Sequence, residues 1–255
     1  MYSNDHLKNK NKIIIIDFGS QVTKLIARRV RDLRVYCEII NLNELQKIEN
    51  FKNIKGIILS GGPSTVTQKI YPKISKKIFE KNIPVLGICY GLQLIAKVFG
   101  GKIKKSQKKR EFGEAILLEK SKSILLKNFF TNKKAKVWMS HQDAIYKIPK
   151  NFKNIASTDN SKYTAIQNKN KRIYGIQFHP EVTHTEKGFK IIKNFVSDIC
   201  KIKKNWVIGI EKKRIIHDLK KKIKKDKVIC ALSGGVDSSV VALLVNKAIK
   251  KNLRC

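Results

Sequence analysis

Gly87-Ile88-Cys89-Tyr90-Gly91 sets a cysteine between two glycines, and 90 residues further on His179-Pro180-Glu181 offers an imidazole and a carboxylate two positions apart. A thiol beside an imidazole is a nucleophile with its own base, and a carboxylate behind the ring orients it. Three such side chains can open an acyl bond through a covalent thioester. A second setting, Ser233-Gly234-Gly235-Val236-Asp237-Ser238-Ser239, suits different chemistry. Its small residues let backbone amides approach and cradle a phosphate. One part of the chain can release a group from a substrate, and the other can hold a nucleotide phosphate.

Each side chain needs an element that presents it. Residues 84–88 read as a strand and 91–99 as a helix, so Cys89 sits on a sharp strand-to-helix turn that pushes its side chain clear of the sheet edge. This is the serine nucleophile elbow with sulfur in place of oxygen. A helix N-terminus and a neighbouring imidazole both favour the thiolate. Residues 173–178 read as a strand, and His179 and Glu181 at its end share one face. Residues 56–59 read as a third strand running into Ser60-Gly61-Gly62-Pro63-Ser64. The amides of Gly62 and Tyr90 can pair to hold a developing oxyanion, one such donor being worth about 3–4 kcal/mol. A lone cysteine in a tight turn is ordinarily a small buried apolar residue, a lone histidine on a strand ordinarily structural, and a Gly-Pro turn ordinarily only a turn. Their coincidence favours catalysis.

Along the chain, short apolar runs alternate with amphipathic stretches, as in βα units around a parallel sheet. Residues 13–16 form a branched run suited to a strand buried on both faces, followed by a helix at 21–32, a strand at 35–40 and a short helix at 43–47. Strands at 115–118, 136–139, 155–158, 164–168 and 173–178 follow with little helix between them, which predicts an antiparallel extension. A helix spans 188–201 on apolar spacings of three and four. The charged stretch 201–205 marks a boundary, giving domains at 12–205 and 206–255. In the second, 228–232 reads as a strand, 233–239 as the phosphate loop and 240–250 as a helix. That loop lacks the Lys-Ser/Thr pair of a Walker A motif. The expected class is α/β: a doubly wound, mostly parallel sheet with an antiparallel extension, followed by an incomplete second α/β nucleotide-binding domain.

The formal charge of +36 suggests nucleic acid at first sight, but of 55 basic residues only 8 are Arg, and the lysines run along the whole chain. A nucleic-acid site concentrates its basic residues on one face, with Arg for base edges and aromatics for stacking. The charge therefore reads as lysine enrichment at solvated positions, which also attracts anionic substrates. Five scattered cysteines, Cys37, Cys89, Cys200, Cys230 and Cys255, have no metal-ligand spacing and read as reduced thiols in a cytoplasmic protein. The run at 13–16 is too short for a signal or membrane segment.

Gly-Ile-Cys-Tyr-Gly-Leu-Gln, Leu-Ser-Gly-Gly-Pro-Ser and Gln-Phe-His-Pro-Glu resemble the class I glutamine amidotransferases over about residues 12–200. The resemblance implies that Cys89 attacks the side-chain amide of glutamine, that His179 is the general base and acid, that Glu181 orients it, and that Gly62 and Tyr90 supply the oxyanion amides. It also implies that Gln93 contacts the bound glutamine. The second loop resembles that of ATP pyrophosphatases, which implies that Ser233, Gly234, Gly235, Val236, Asp237, Ser238 and Ser239 lie at the pyrophosphate of ATP and its Mg²⁺. The order of the two resembles the glutamine-hydrolysing GMP synthetase family, in which ammonia displaces AMP from adenylylated xanthosine 5′-monophosphate. Val137-Trp138-Met139-Ser140-His141 supports that likeness.

Gln142 departs from the pattern, which has Gly after Ser-His. The chain ends at Cys255, where the nucleotide domain's second strand is expected to begin, so the xanthylate site and the region through which the family dimerises are expected to be absent. Residues 206–255 are then not expected to bind ATP productively alone, glutamine hydrolysis needs no cofactor, and GMP formation is expected to be undetectable. Two alternatives compete. A stand-alone glutaminase subunit leaves Ser233–Ser239 unexplained, and a basic nucleic-acid-binding module leaves the Cys-His-Glu arrangement unused.

Overall fold

The computed structural model describes residues 10–105 and 111–255. They form two compact units, divided between Asn205 and Trp206.

The first unit is built on strand β1 (Lys12–Ile16), whose four isoleucines are all 0–1% exposed. Side chains alternate across a strand, so Ile13 and Ile15 join one hydrophobic cluster and Ile14 and Ile16 the other. Each such side chain contributes about 1.5–3 kcal/mol by leaving water. Helix α1 (Thr23–Asp32) buries Ile26, Ala27 and Val30 against the first cluster. Strand β2 (Cys37–Ile40) pairs with β1, and α2 (Leu42–Gln46) opens with a capping box between Asn41 and Glu44. Strands β3 (Ile54–Leu59) and β4 (Val85–Ile88) extend the parallel sheet, and α3 (Tyr90–Val98) packs on the second cluster.

The middle region supplies β5 (Lys102–Lys105), β6 (Glu111–Glu119), β7 (Lys134–His141), β8 (Asp143–Lys147), β9 (Lys153–Ser157), β10 (Ala165–Asn168) and β11 (Ile173–Ile176). The main sheet has nine strands in the order β2-β1-β3-β4-β11-β10-β9-β6-β7. Strands β2 to β11 in that order run parallel, and the remaining pairs are antiparallel. The expected doubly wound sheet with its antiparallel extension is therefore present. Strands β5 and β8 form a separate two-stranded sheet that periodicity did not reveal. The helix expected over 188–201 is split into α4 (Gly188–Lys193) and a wider-turned segment, Asn194–Ile199.

The second unit holds α5 (Ile208–Ile223), β12 (Val228–Ile229), α6 (Val236–Ile249) and β13 (Leu253–Arg254), with β12 and β13 paired in parallel. Its core is small: Val245, Ala248 and Ile249 against Ile216, Leu219, Ile223, Val228 and Leu253. The strand is shorter than the expected 228–232, and the helix starts at Val236, so Val236–Ser239 form its first turn. Gly234 and Gly235 suffice to reverse the chain, which frees the following residues for helix. Among the described residues, no helix is long and apolar enough to cross a membrane.

Candidate active site

Strands β3, β4 and β11 lie side by side, so their C-terminal ends bring three segments into one crevice. Ser60–Gly62 follows β3, Cys89 follows β4, and Gln177–His179 follows β11. Ligands in open α/β sheets bind at this edge. The β4–β11 register pairs Ile88 with Ile176, and the Cys89 amide donates to the Ile176 carbonyl at 2.8 Å. Two residues 90 apart in the chain thus start from neighbouring strand ends.

Cys89 caps α3 with φ 51° and ψ −105°, a conformation that L residues avoid. Its two glycines make the turn possible. A Cβ on Gly87 would lie 2.5 Å from the Gly91 carbonyl carbon, and one on Gly91 would lie 2.4 Å from the Leu59 oxygen. Cys89 Sγ lies 3.6 Å from the Ser140 carbonyl and 3.6 Å from Gln177 Nε2. Burial pushes the core thiol of Cys37 up to about 11 and raises that of Cys200 as well.

His179 Nδ1 lies 2.8 Å from Glu181 Oε1, and the ring is close enough to Cys89 for the two to interact electrostatically. Both it and Cys89 border Gly61, where a Cβ would stand 3.1 Å from His179 Cε1 and 3.7 Å from Cys89 Cβ. Glu181 is fully buried, and Arg29 Nε donates to its backbone carbonyl at 3.2 Å. The His179 amide donates to the Trp138 carbonyl, and its carbonyl accepts from Thr185 Oγ1 at 2.6 Å. Burial alone lowers the His179 pKa, but interactions with Cys89 and Glu181 outweigh it and push the ring from 6.5 up to about 10.

A proton held more tightly in the folded state stabilises the fold fully below about pH 6.5 and loses that contribution as pH rises toward about 10. Urea unfolding between those pH values is expected to show a decline in stability that is shallower in Cys89→Ala, which lacks one of the two partners holding the proton. Equal slopes in the two proteins would contradict this.

A cleft of about 530 Å³ opens over the cysteine, lined by Gly62, Thr65, Cys89, Tyr90, Gln93 and Asp143 among others. Gln93 Nε2 donates to the Asp143 carbonyl at 3.1 Å, which fixes its carboxamide because a carbonyl only accepts. No acceptor among the described residues takes the amide hydrogens of Gly62 or Tyr90. Gln142 is exposed and stands at the rim of this cleft. A roomier cleft of about 1040 Å³ is bordered by Lys127, Arg172 and Asp198, but it contains no nucleophile and base in contact. Chemistry, not volume, selects the smaller one. The sequence reading passed over Gln177, although it sits two residues before His179 on the same strand face, and the Ser140 carbonyl, which no side-chain pattern encodes.

Residues 14–199 match the class I glutamine amidotransferase family model. The chain belongs to the class I glutamine amidotransferases. As a member of that family, it is 49% identical over 97% of its length to a glutamine-hydrolysing GMP synthase of Brachyspira hyodysenteriae and 48% identical over 96% to one of Clostridium tetani. It spans about half of these relatives, 48% of each. A solved Thermoplasma acidophilum protein, assigned to GMP synthase as one of its subunits, is 31% identical, with a TM-score of 0.64 over 76% of this chain and 95% of its own. Residues 210–254 are similar to the NAD synthase family model.

Within that second region Ser233–Ser239 is exposed at the N-terminus of α6 apart from half-buried Ser238. Gly234 has φ 78°, and the hydroxyls of Ser238 and Ser239 donate to the Gly235 carbonyl at 3.0 and 2.9 Å. The helix's first amides have no partners within it and point toward the loop. Among the described residues no group of three or more His, Cys, Asp or Glu could hold a metal ion.

Proposed function

We propose that this class I glutamine amidotransferase hydrolyses glutamine at Cys89 and that the ammonia serves GMP synthesis. The Cys89 thiolate attacks the side-chain amide carbon, and the amides of Gly62 and Tyr90 hold the oxyanion. His179, kept protonated by Cys89 and Glu181, gives its proton to the departing nitrogen, leaving a glutamyl thioester and ammonia. The imidazole then takes a proton from water, which attacks the thioester and releases glutamate and the thiol. Glu181 keeps the ring oriented throughout, and Gln93 lines the pocket for the substrate. The observation that carries the reading is the buried His179 ring, which borders Gly61 together with Cys89 and is bonded to Glu181 at 2.8 Å.

Incubation with glutamine and an acid quench should reveal a glutamyl group on the Cys89 peptide by mass spectrometry, with ammonia released in parallel. Ammonia without the adduct, or an adduct on another cysteine, would overturn the assignment.

The names of the relatives, together with Ser233–Ser239, support the nucleotide half of the proposal. In it residues 12–205 are the amidotransferase domain, and 206–255 contribute to an ATP-binding domain that adenylylates xanthosine 5′-monophosphate. Gly234 and the first amides of α6 would face the pyrophosphate, with Asp237 the one carboxylate in the loop. Mg²⁺ would come with the nucleotide and balance its phosphate charge. Supplying this chain with the second half of a relative's enzyme should give GMP from glutamine, ATP and xanthylate; formation only with free ammonium salts would refute the coupling.

A further inference from the structure

Glu111, His141 and Asp143 are buried ionisable residues that the proposed reaction does not use, each only 4–5% exposed. Glu111 and His141 face each other in the β6–β7 register. His141 Nε2 lies 3.1 Å from Glu111 Oε2, and Glu111 Oε1 accepts from Thr158 Oγ1 at 2.7 Å. On the other side of the ring, Nδ1 lies 3.1 Å from the Asp143 carbonyl, the same oxygen that takes the Gln93 amide. A continuous chain of hydrogen bonds therefore runs from Thr158 to the wall of the cleft.

The backbone explains why a side-chain clamp is needed there. The polypeptide leaves the edge of the main sheet at His141, passes through Gln142 alone, and enters the separate β5–β8 sheet at Asp143. No single ladder spans that step, so strand pairing leaves the relative position of residues 140 and 143 open. Yet the Ser140 carbonyl meets Cys89 Sγ, and the Asp143 carbonyl holds Gln93. Asp143 itself is tied by Thr65 Oγ1 to the loop after β3.

We infer that Glu111 and His141 are positioning residues: they hold the Ser140–Asp143 step at the height at which the cleft accepts the glutamine side chain. This rests on the glutamine reading of the cleft. The acceptor on Asp143 requires His141 Nδ1 to donate, so in Glu111→Gln a neutral ring can accept from the new amide while Thr158 donates to its oxygen. That variant keeps the clamp complete. Glu111→Ala leaves His141 and Thr158 without it.

Two reagents separate positioning from a merely structural role in the full chain. Iodoacetamide reports the thiol, and a glutamine-shaped diazoketone reports the thiol together with the pocket. In Glu111→Ala, diazoketone labelling of Cys89 should slow at least about tenfold, since small misplacements are costly to a reaction that depends on orientation, while iodoacetamide stays within about twofold. Glu111→Gln should restore diazoketone labelling to within about threefold of wild type, as expected when the same hydrogen bonds are remade. Should Glu111→Ala fail to fold, Thr158→Val removes one bond from the same chain and should slow the diazoketone alone by about threefold. Equal slowing of both reagents, or a diazoketone rate unchanged in the folded variants, overturns the inference with the glutamine reading intact. A wild-type chain that iodoacetamide labels and the diazoketone does not overturns both.

Discussion

Cys89→Ala is expected to abolish ammonia release from glutamine and to leave the fold standing. The thiol stands beside the His179 imidazole, both bordering Gly61, and no water can replace it without forfeiting the thioester route. Members of a catalytic unit act together, so loss of the nucleophile should remove at least about a thousandfold of the rate. The fold does not depend on the sulfur. Alanine keeps the Cβ, the backbone amide still donates to Ile176, and the sulfur's two hydrogen bonds to Ser140 and Gln177 are long ones at 3.6 Å. Ammonia release measured beside thermal unfolding separates the two effects. Activity above roughly a thousandth of wild type in a folded variant would sink the nucleophile assignment.

Gly91→Ala should cost more stability than any change of comparable size on the surface. The new Cβ would stand 2.4 Å from the carbonyl oxygen and 2.7 Å from the Cβ of Leu59. Leu59 is fully buried in β3, between β1 and β4, so neither atom can yield without disturbing the sheet. Overpacking of this kind costs about 1–3 kcal/mol, and a backbone oxygen as obstacle argues for the upper end. For a unit of this size about 3 kcal/mol lowers the melting temperature by roughly 6–12 °C. The lost activity should exceed the lost stability, because α3 must shift and Cys89 is its cap. Gly209→Ala is the control, since a Cβ there meets nothing within 4 Å and the residue lies in α5. Alanine within a helix is expected to be neutral or stabilising by about 0.5–1 kcal/mol. A melting temperature for Gly91→Ala equal to that of the control would refute the steric account.

The parts of the fold legible in the sequence are those where local pattern and tertiary burial agree. The branched run at β1 could only be a strand buried on both faces, and the Gly-flanked cysteine could only be a turn into a helix. Elements under lysines were harder to read. In α5 the stripe Ile216, Leu219 and Ile223 lies among Lys212, Lys213, Lys220, Lys221 and Lys222, which masks its spacing. β5 has one apolar residue among three lysines, and β8 is only five residues long, so neither shows a strand-length alternation. The loop from Ser233 read as longer than it is because Ser238 and Ser239 favour turns, yet both lie in the first turn of α6 with their hydroxyls back-bonded to its cap, Gly235.

By itself the sequence determined the residue types, the elbow around Cys89 and the pairing of an imidazole with a carboxylate two residues on, because each of these is local in the chain. Only the tertiary structure decided how they meet. Strand order set β3, β4 and β11 side by side, and register aligned Ile88 with Ile176. A one-residue slip in that register would turn every side chain of β11 to the opposite face, and the period of the pattern leaves the choice of partner open. The Glu111–His141 clamp, the Ser140 carbonyl and the bond from Gln177 to Cys89 all belong to this second kind, spanning 30 to 88 residues of chain. Such contacts come from the packing of whole strands, whose partners are specified by the buried faces of the complete sheet.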